Sequence, residues 1–288
     1  MEDELVNNVL ARVDAWRGVN QIGVTPIQGG KTNRNYLVTV EGERFVLRIS
    51  GENTTALNID RSRERAATLA AASIGLAPEV VAFLLPEGHL VTRFIPNGLE
   101  WTNEDLKRPE IISLVADVLR CVHALPAIDG EFNPYEDIEK RLATAGERGL
   151  ALPERLLDLR AKLVEICRIR DQALGGRRAL CHNDPWHNNF LYDGKVRLLD
   201  WEMAGMGDPF FDIASLTCFY SPEQKRAFLM HYAGEARNED LEAIEQMIFV
   251  AIFWNATWAL MQIGVTYADY DYKAMADNMF GYISPWLN

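Results

Sequence analysis

At 288 residues with a formal net charge of −12, the chain is long enough to bury a large core and too acidic to offer the basic surface that nucleic acids require. Its composition, 48% hydrophobic and 24% charged, is that of a soluble globular protein. Cys121, Cys167, Cys181 and Cys218 include no Cys-x-x-Cys pair, which argues against a zinc centre or disulfide framework and fits reduced thiols in a cytoplasm.

The acidic start Met1-Glu2-Asp3-Glu4-Leu5 lacks the positive charge of an export signal, so a cytoplasmic location is expected. Leu5, Val9 and Val13 recur on one helical face over residues 2–16. Strand-like runs follow at 22–28, 34–40 and 43–49, the last two joined by Glu41-Gly42. Between the first two lies Gly29-Gly30-Lys31-Thr32-Asn33, a turn whose glycines let backbone amides approach phosphate oxygens, or simply reverse the chain. The third run carries Arg48 among apolar residues. A buried arginine needs a partner, and Glu64 on the following helix, expected over 58–75, is the natural one.

Two more strands are expected at 79–85 and 88–94. Phe94-Ile95-Pro96-Asn97-Gly98 then breaks both periods and reads as a hinge between a lobe of residues 1–93 and a lobe of residues 99–288. Helices are expected near 103–124, 136–148 and 153–174, and again toward the C-terminus. Sheet first and helices afterwards is the α+β layout of a two-lobed, protein-kinase-like fold.

The run Cys181-His182-Asn183-Asp184-Pro185-Trp186-His187-Asn188-Asn189 is followed by Asp200 in Leu198-Leu199-Asp200-Trp201-Glu202. Between Asn189 and Asp200, two short strands around Asp193-Gly194 read as a hairpin, which sets Asn189 and Asp200 side by side at its open end. Two oxygen ligands so placed suit Mg²⁺, which takes few protein ligands beside nucleotide phosphates. Asp184, on the loop entering the hairpin, is placed to accept a proton from an attacking hydroxyl.

Residues 246–268 carry no charge and are long enough to span a membrane. Asn255, Thr257 and Gln262 at its centre, acidic flanks and the absence of a Lys/Arg cluster favour a buried helix of a soluble protein without membrane insertion. Within it Trp254 and Trp258 share one face at i and i+4, with Tyr267, Tyr270 and Tyr272 soon after. Core packing and an aromatic cage for a cation both remain open readings.

Residues 181–213, ending Gly207-Asp208-Pro209-Phe210-Phe211-Asp212-Ile213, resemble the choline/ethanolamine kinase family, one branch of the kinase-like small-molecule phosphotransferases that include aminoglycoside kinases. The resemblance extends over about residues 25–285 and is weakest at 100–175. It implies that Asp184 is the catalytic base, Asn189 and Asp200 the Mg²⁺ ligands, and Glu202 an auxiliary acid near a second metal. His182 would be a structural residue, and Asp212 a brace for the catalytic loop. Gly29, Gly30, Thr32 and Asn33 would cover ATP, Arg48 with Glu64 would align its phosphates, and the backbone of residues 93–95 would dock adenine. The family's Trp pair for a cationic acceptor falls on Trp258, with Gln262 four residues on, and on Trp254; Tyr267 and Tyr270 join them as candidate cage residues by their aromatic character and nearness in the chain alone.

There are departures from the family pattern. Trp254 is one residue out of step, Met203 stands where many members have Tyr, and no acid is evident around Thr217-Cys218-Phe219-Tyr220. The implied activity is ATP-dependent phosphorylation of the hydroxyl of choline or a related small cationic alcohol. Ethanolamine, thiamine and aminoglycosides are alternative acceptors, and a catalytically silent nucleotide-binding regulator is the alternative of a different class. No oligomeric state is assigned.

Overall fold

The computed structural model describes residues 2–19, 21–27, 33–51, 57–265 and 270–287. Five strands, β1 (Ile22–Ile27), β2 (Arg34–Val40), β3 (Glu43–Ile49), β4 (Val80–Leu84) and β5 (His89–Arg93), form an antiparallel sheet in the order β1-β2-β3-β5-β4. Glu41 and Gly42, both at positive φ, make the two-residue turn between β2 and β3, the geometry that matches the twist of paired strands. Alternation along β2 and β3 turns Tyr36, Val38, Val40, Phe45, Leu47 and Ile49 to one face. Helix α1 (Glu2–Leu10) and the turn after it close that face with Val6, Val9, Leu10, Val13 and Trp16.

Helix α2 (Arg61–Ser73) begins at Asp60, whose carboxylate accepts the amides of Ser62 (2.8 Å) and Arg63 (3.1 Å). In the chain it lies between β3 and β4, yet its buried Ala67 and Ala71 belong to the core of the helical lobe. Arg63 donates to the carbonyl of Glu131 (2.6 Å), and just before the helix Asn58 donates to Asp137 (2.8 Å). The two cores therefore divide at α2 rather than at the chain's passage between lobes.

After β5 the chain passes Asn97 (φ 57°) into a two-residue strand, β6 (Leu99–Glu100), which pairs with the hairpin β8 (Phe190–Tyr192) and β9 (Val196–Leu198). Strands β7 (Ala179–Cys181) and β10 (Gly205–Gly207) pair on either side of that hairpin in sequence.

The remaining helices are α3 (Pro109–His123), α4 (Pro134–Glu147), α5 (Leu156–Leu174), α6 (Pro209–Thr217), α7 (Pro222–Ala233), α8 (Asn238–Gln262) and α9 (Tyr272–Ile283). Proline opens α3, α4, α6 and α7, where its missing N–H costs nothing. Helix α8 is apolar on all sides because α4, α5, α6, α7 and α9 pack around it. It is the one described helix long and apolar enough to cross a membrane, and 83% of its apolar window is buried within this fold.

Candidate active site

The loop after β7 is held from below by Asp212, a fully buried residue of α6. Its Oδ2 accepts the amide of His182 (2.8 Å) and its Oδ1 that of Asn183 (2.5 Å). His182 donates from Nε2 to the carbonyl of Leu199 (2.8 Å), and its Nδ1 accepts the amide of Asp184 (3.2 Å). Burial pushes its pKa down to about 4 against the pull of Asp212, so at neutral pH it is an uncharged strut between loop and hairpin. Asn183 adopts φ 66° and donates to the carbonyl of Met203 (2.9 Å).

These bonds fix the backbone leading to Asp184. The Nδ2 of Asn189 donates to both the carbonyl (2.8 Å) and Oδ2 (3.0 Å) of Asp184. The amide of Leu199 donates to the carbonyl of Asn189 (2.8 Å), one step beyond the Phe190–Leu198 pair, so Asn189 and Asp200 flank the hairpin's open end. Asp200 sits at φ 61°, and its side chain keeps 34% of its surface open.

Above this floor a network of charged groups joins the lobes. Arg48 on β3 bonds to Glu64 of α2, to the carbonyl of Gly88 (3.0 Å) and to Oδ1 of Asp200 (3.2 Å). Arg61 bridges Glu64 (2.6 Å) and Glu202 (3.2 Å), and Asn33 reaches Glu202 from β2's approach (3.2 Å). Burial opposes the Arg48 charge, but Glu64, Asp200 and Glu202 outweigh it and hold its pKa above the ordinary value. Burial and the charges of Asp200 and Glu202 raise the Asp184 carboxyl well above its usual range. Desolvation and the neighbouring Glu202 charge raise the Asp200 carboxyl above its ordinary range, with Arg48 pulling the other way.

The carboxylates of Asp200 and Glu202 lie close enough to raise the pKa of Asp184, and Glu202 that of Asp200, and oxygen donors of this kind suit a hard divalent cation. Asn189, Asp200 and Glu202 are the residues that would hold it.

The expected acceptor residues separate. Trp258 is half-buried, its ring edge-on to Tyr272 (5.9 Å), and Tyr272 in turn contacts the half-exposed Tyr270 (5.0 Å). Gln262, Tyr270, Asp271, Tyr272 and Lys273 line an adjacent cavity of about 210 Å³.

Trp254, expected beside Trp258, is instead a core residue, 2% exposed. It donates its indole N–H to Asp137 (3.1 Å), carries Arg141 over its ring (4.2 Å), and packs against Phe132 and Phe211. With its one donor satisfied and its faces covered, it has no surface left for an acceptor. Gly29, Gly30, Thr32 and Tyr267 lie outside the described residues.

Sequence reasoning missed Arg61 and Gly88. Gly88 is required on two counts: its φ of 83°, and a Cβ there would lie 2.2 Å from Cδ of Arg61. The turn signal Pro86-Glu87-Gly88 was legible, but its contact with Arg61 was not.

A five-stranded sheet over a helical lobe, with a loop carboxylate and a hairpin acid beneath a sheet arginine, defines the kinase-like phosphotransferase fold. Residues 23–246 match the model of the phosphotransferase enzyme family, and the chain belongs to that family. LicA of Haemophilus influenzae is 27% identical over 192 residues, a match covering 65% of this chain and 56% of that protein, so the chain spans little more than half of this relative's length.

Among solved structures, a choline/ethanolamine kinase family protein of Mesorhizobium loti superposes with a TM-score of 0.79 at 25% identity, covering 100% of this chain and 95% of the other. The choline kinase LicA of Streptococcus pneumoniae gives 0.81 at 22% identity, covering 99% and 98%. LicA in complex with AMP and an ADP-bound aminoglycoside phosphotransferase share the fold.

Proposed function

We propose that this protein is an ATP-dependent kinase that phosphorylates the hydroxyl of choline or a related small cationic alcohol. The observation that carries the reading is the convergence of Asp184, Asn189 and Asp200 beneath Arg48. Asp184 orients the acceptor hydroxyl and takes its proton as the oxygen bonds to the γ-phosphorus; the bond to the β,γ-bridging oxygen breaks and ADP leaves. Arg48, fixed by Glu64, aligns the donor phosphates, and Gly29, Gly30, Thr32 and Asn33 are the residues we assign to covering them. Mg²⁺ bound by Asn189, Asp200 and Glu202 would neutralise phosphate charge.

Trp258, Tyr267 and Tyr270 supply the aromatic surface for the acceptor's cation, each worth about 0.5–2 kcal/mol depending on desolvation. A net charge of −12 favours a cationic substrate.

The test is ADP release across choline, ethanolamine, thiamine and an aminoglycoside panel, with Asp184→Ala as the blank. Acceptor-dependent release with a quaternary or primary amino alcohol is expected. Release no greater than the blank with every acceptor would sink the kinase reading and favour a silent nucleotide-binding regulator.

A further inference from the structure

Beneath the catalytic loop three helices place three polar side chains in one buried chain. The Tyr232 hydroxyl of α7 lies 2.7 Å from Nδ1 of His123, the last residue of α3, and the His123 Nε2 lies 3.0 Å from Oδ2 of Asp212 on α6. That same carboxylate holds the amides of His182 and Asn183, the two residues before Asp184. We infer that His123, set by Tyr232, is a positioning residue for phosphoryl transfer that acts on Asp184 through the orientation of the Asp212 carboxylate. This inference rests on the kinase reading of the site.

The Asp212 carboxylate only accepts, so Nε2 of His123 donates to its Oδ2, while Nδ1 shares the second hydrogen bond with the Tyr232 hydroxyl. Three donors arrive at one carboxylate, two from the loop and one from α3. The two amides alone would leave its plane to follow the loop; the third donor, anchored on a helix, ties that plane to the lobe. Asn183 at φ 66° is held by its amide on Asp212 and its carboxamide on the carbonyl of Met203, so the shape of the loop is tied to bonds from outside it.

Cys181 approaches the same trio, with His123, Cys181 and Asp212 ligand atoms all within 4.8 Å of one another. Burial, then Asp212 and Asp208, push its thiol pKa well up, its Sγ bonds to the carbonyl of Ala179, and the His123 Nε2 and both Asp212 oxygens are already engaged, so His123 and Asp212 form a hydrogen-bonded brace with Cys181 a neutral neighbour rather than a metal centre.

A displacement of the base by about 1 Å is enough to cost on the order of a hundredfold in rate, so the effect belongs in kcat. His123→Leu removes the donor, and His123→Gln returns an amide N–H near the place of Nε2. Expected for His123→Leu is a kcat lower by tenfold or more with the KM for ATP within twofold of wild type. Hydrogen exchange in residues 181–189 should be faster, with that in α8 unchanged. His123→Gln should recover kcat to within threefold and restore the protection.

Wild-type kcat and wild-type exchange in His123→Leu would overturn the inference. So would a His123→Gln protein as impaired as His123→Leu, since that outcome assigns the effect to ring packing. Should His123→Leu not fold, Tyr232→Phe replaces it: loop exchange faster than wild type supports the inference, and exchange equal to wild type overturns it. The exchange readout needs no turnover, so it separates failure of the brace from failure of the kinase reading, which would show as an inactive wild type.

Discussion

Both donor contacts of the Asn189 carboxamide go to Asp184, one to its carbonyl at 2.8 Å and one to its Oδ2 at 3.0 Å. The carboxylate proposed as the base and the carboxamide proposed as a metal ligand are therefore set by one contact, which leaves Oδ1 as the only Asn189 side-chain atom able to serve as that ligand. Asn189→Ala is expected to lower kcat by about a hundredfold through misplacement of the base and to raise the Mg²⁺ concentration for half-maximal rate. An unchanged Mg²⁺ dependence, read from initial rates over a metal titration, would remove Asn189 from the ligand set.

Arg48 uses its planar fork to reach Glu64, Gly88 and Asp200 at once. A lysine carries the charge without the fork. Arg48→Lys should raise the KM for ATP at least tenfold and destabilise the fold by about 1–3 kcal/mol, since buried Glu64 loses a partner. Steady-state kinetics and urea melts measure the two effects; a variant matching wild type in both would show that point charge alone suffices.

The buried His182 sets a pH dependence of stability. Unfolded, its imidazole takes a proton near 6.5; folded, only near 4. Between those values the unfolded chain binds more protons, so stability contributed by this group is full above 6.5 and is lost as pH falls toward 4. The loss amounts to roughly 3 kcal/mol at most. His182→Gln removes the titration, and its unfolding free energy should fall less than that of wild type between pH 7 and pH 4.5. Equal slopes would assign the acid sensitivity to other groups.

Trp254 and Trp258 lie one helical turn apart and should behave oppositely. Trp258→Ala is expected to raise the acceptor KM tenfold or more and the ATP KM less than twofold. Trp254→Phe, which takes the indole N–H from Asp137, should cost about 1–3 kcal/mol of stability and leave both KM values alone. Similar changes in both KM values for Trp258→Ala would point to packing.

That pair also shows where sequence reasoning stops. Helix α8 is apolar all round, so periodicity identifies it as a helix and leaves open which face meets a cavity. The decisive partner of Trp254, Asp137, is 117 residues away. Local signals did better. The Asp193-Gly194 turn located the hairpin, and Arg48 amid apolar neighbours called for Glu64, which the structure supplies. The start of α4 came two residues earlier than expected because Asn133 caps it and Pro134 opens it, a signal present in the sequence. Strand β6 was not expected at all; two exposed residues carry no pattern, and only their pairing with Leu191 and Tyr192 makes them a strand.

Helix α2 has one foot in each lobe's business: Glu64 serves the sheet's arginine, while Ala67 and Ala71 are cemented into the lower core and Arg63 grips Glu131. Under the proposed kinase reading, the residue that fixes Arg48 is therefore positioned by the packing of the lower core rather than by the sheet it serves.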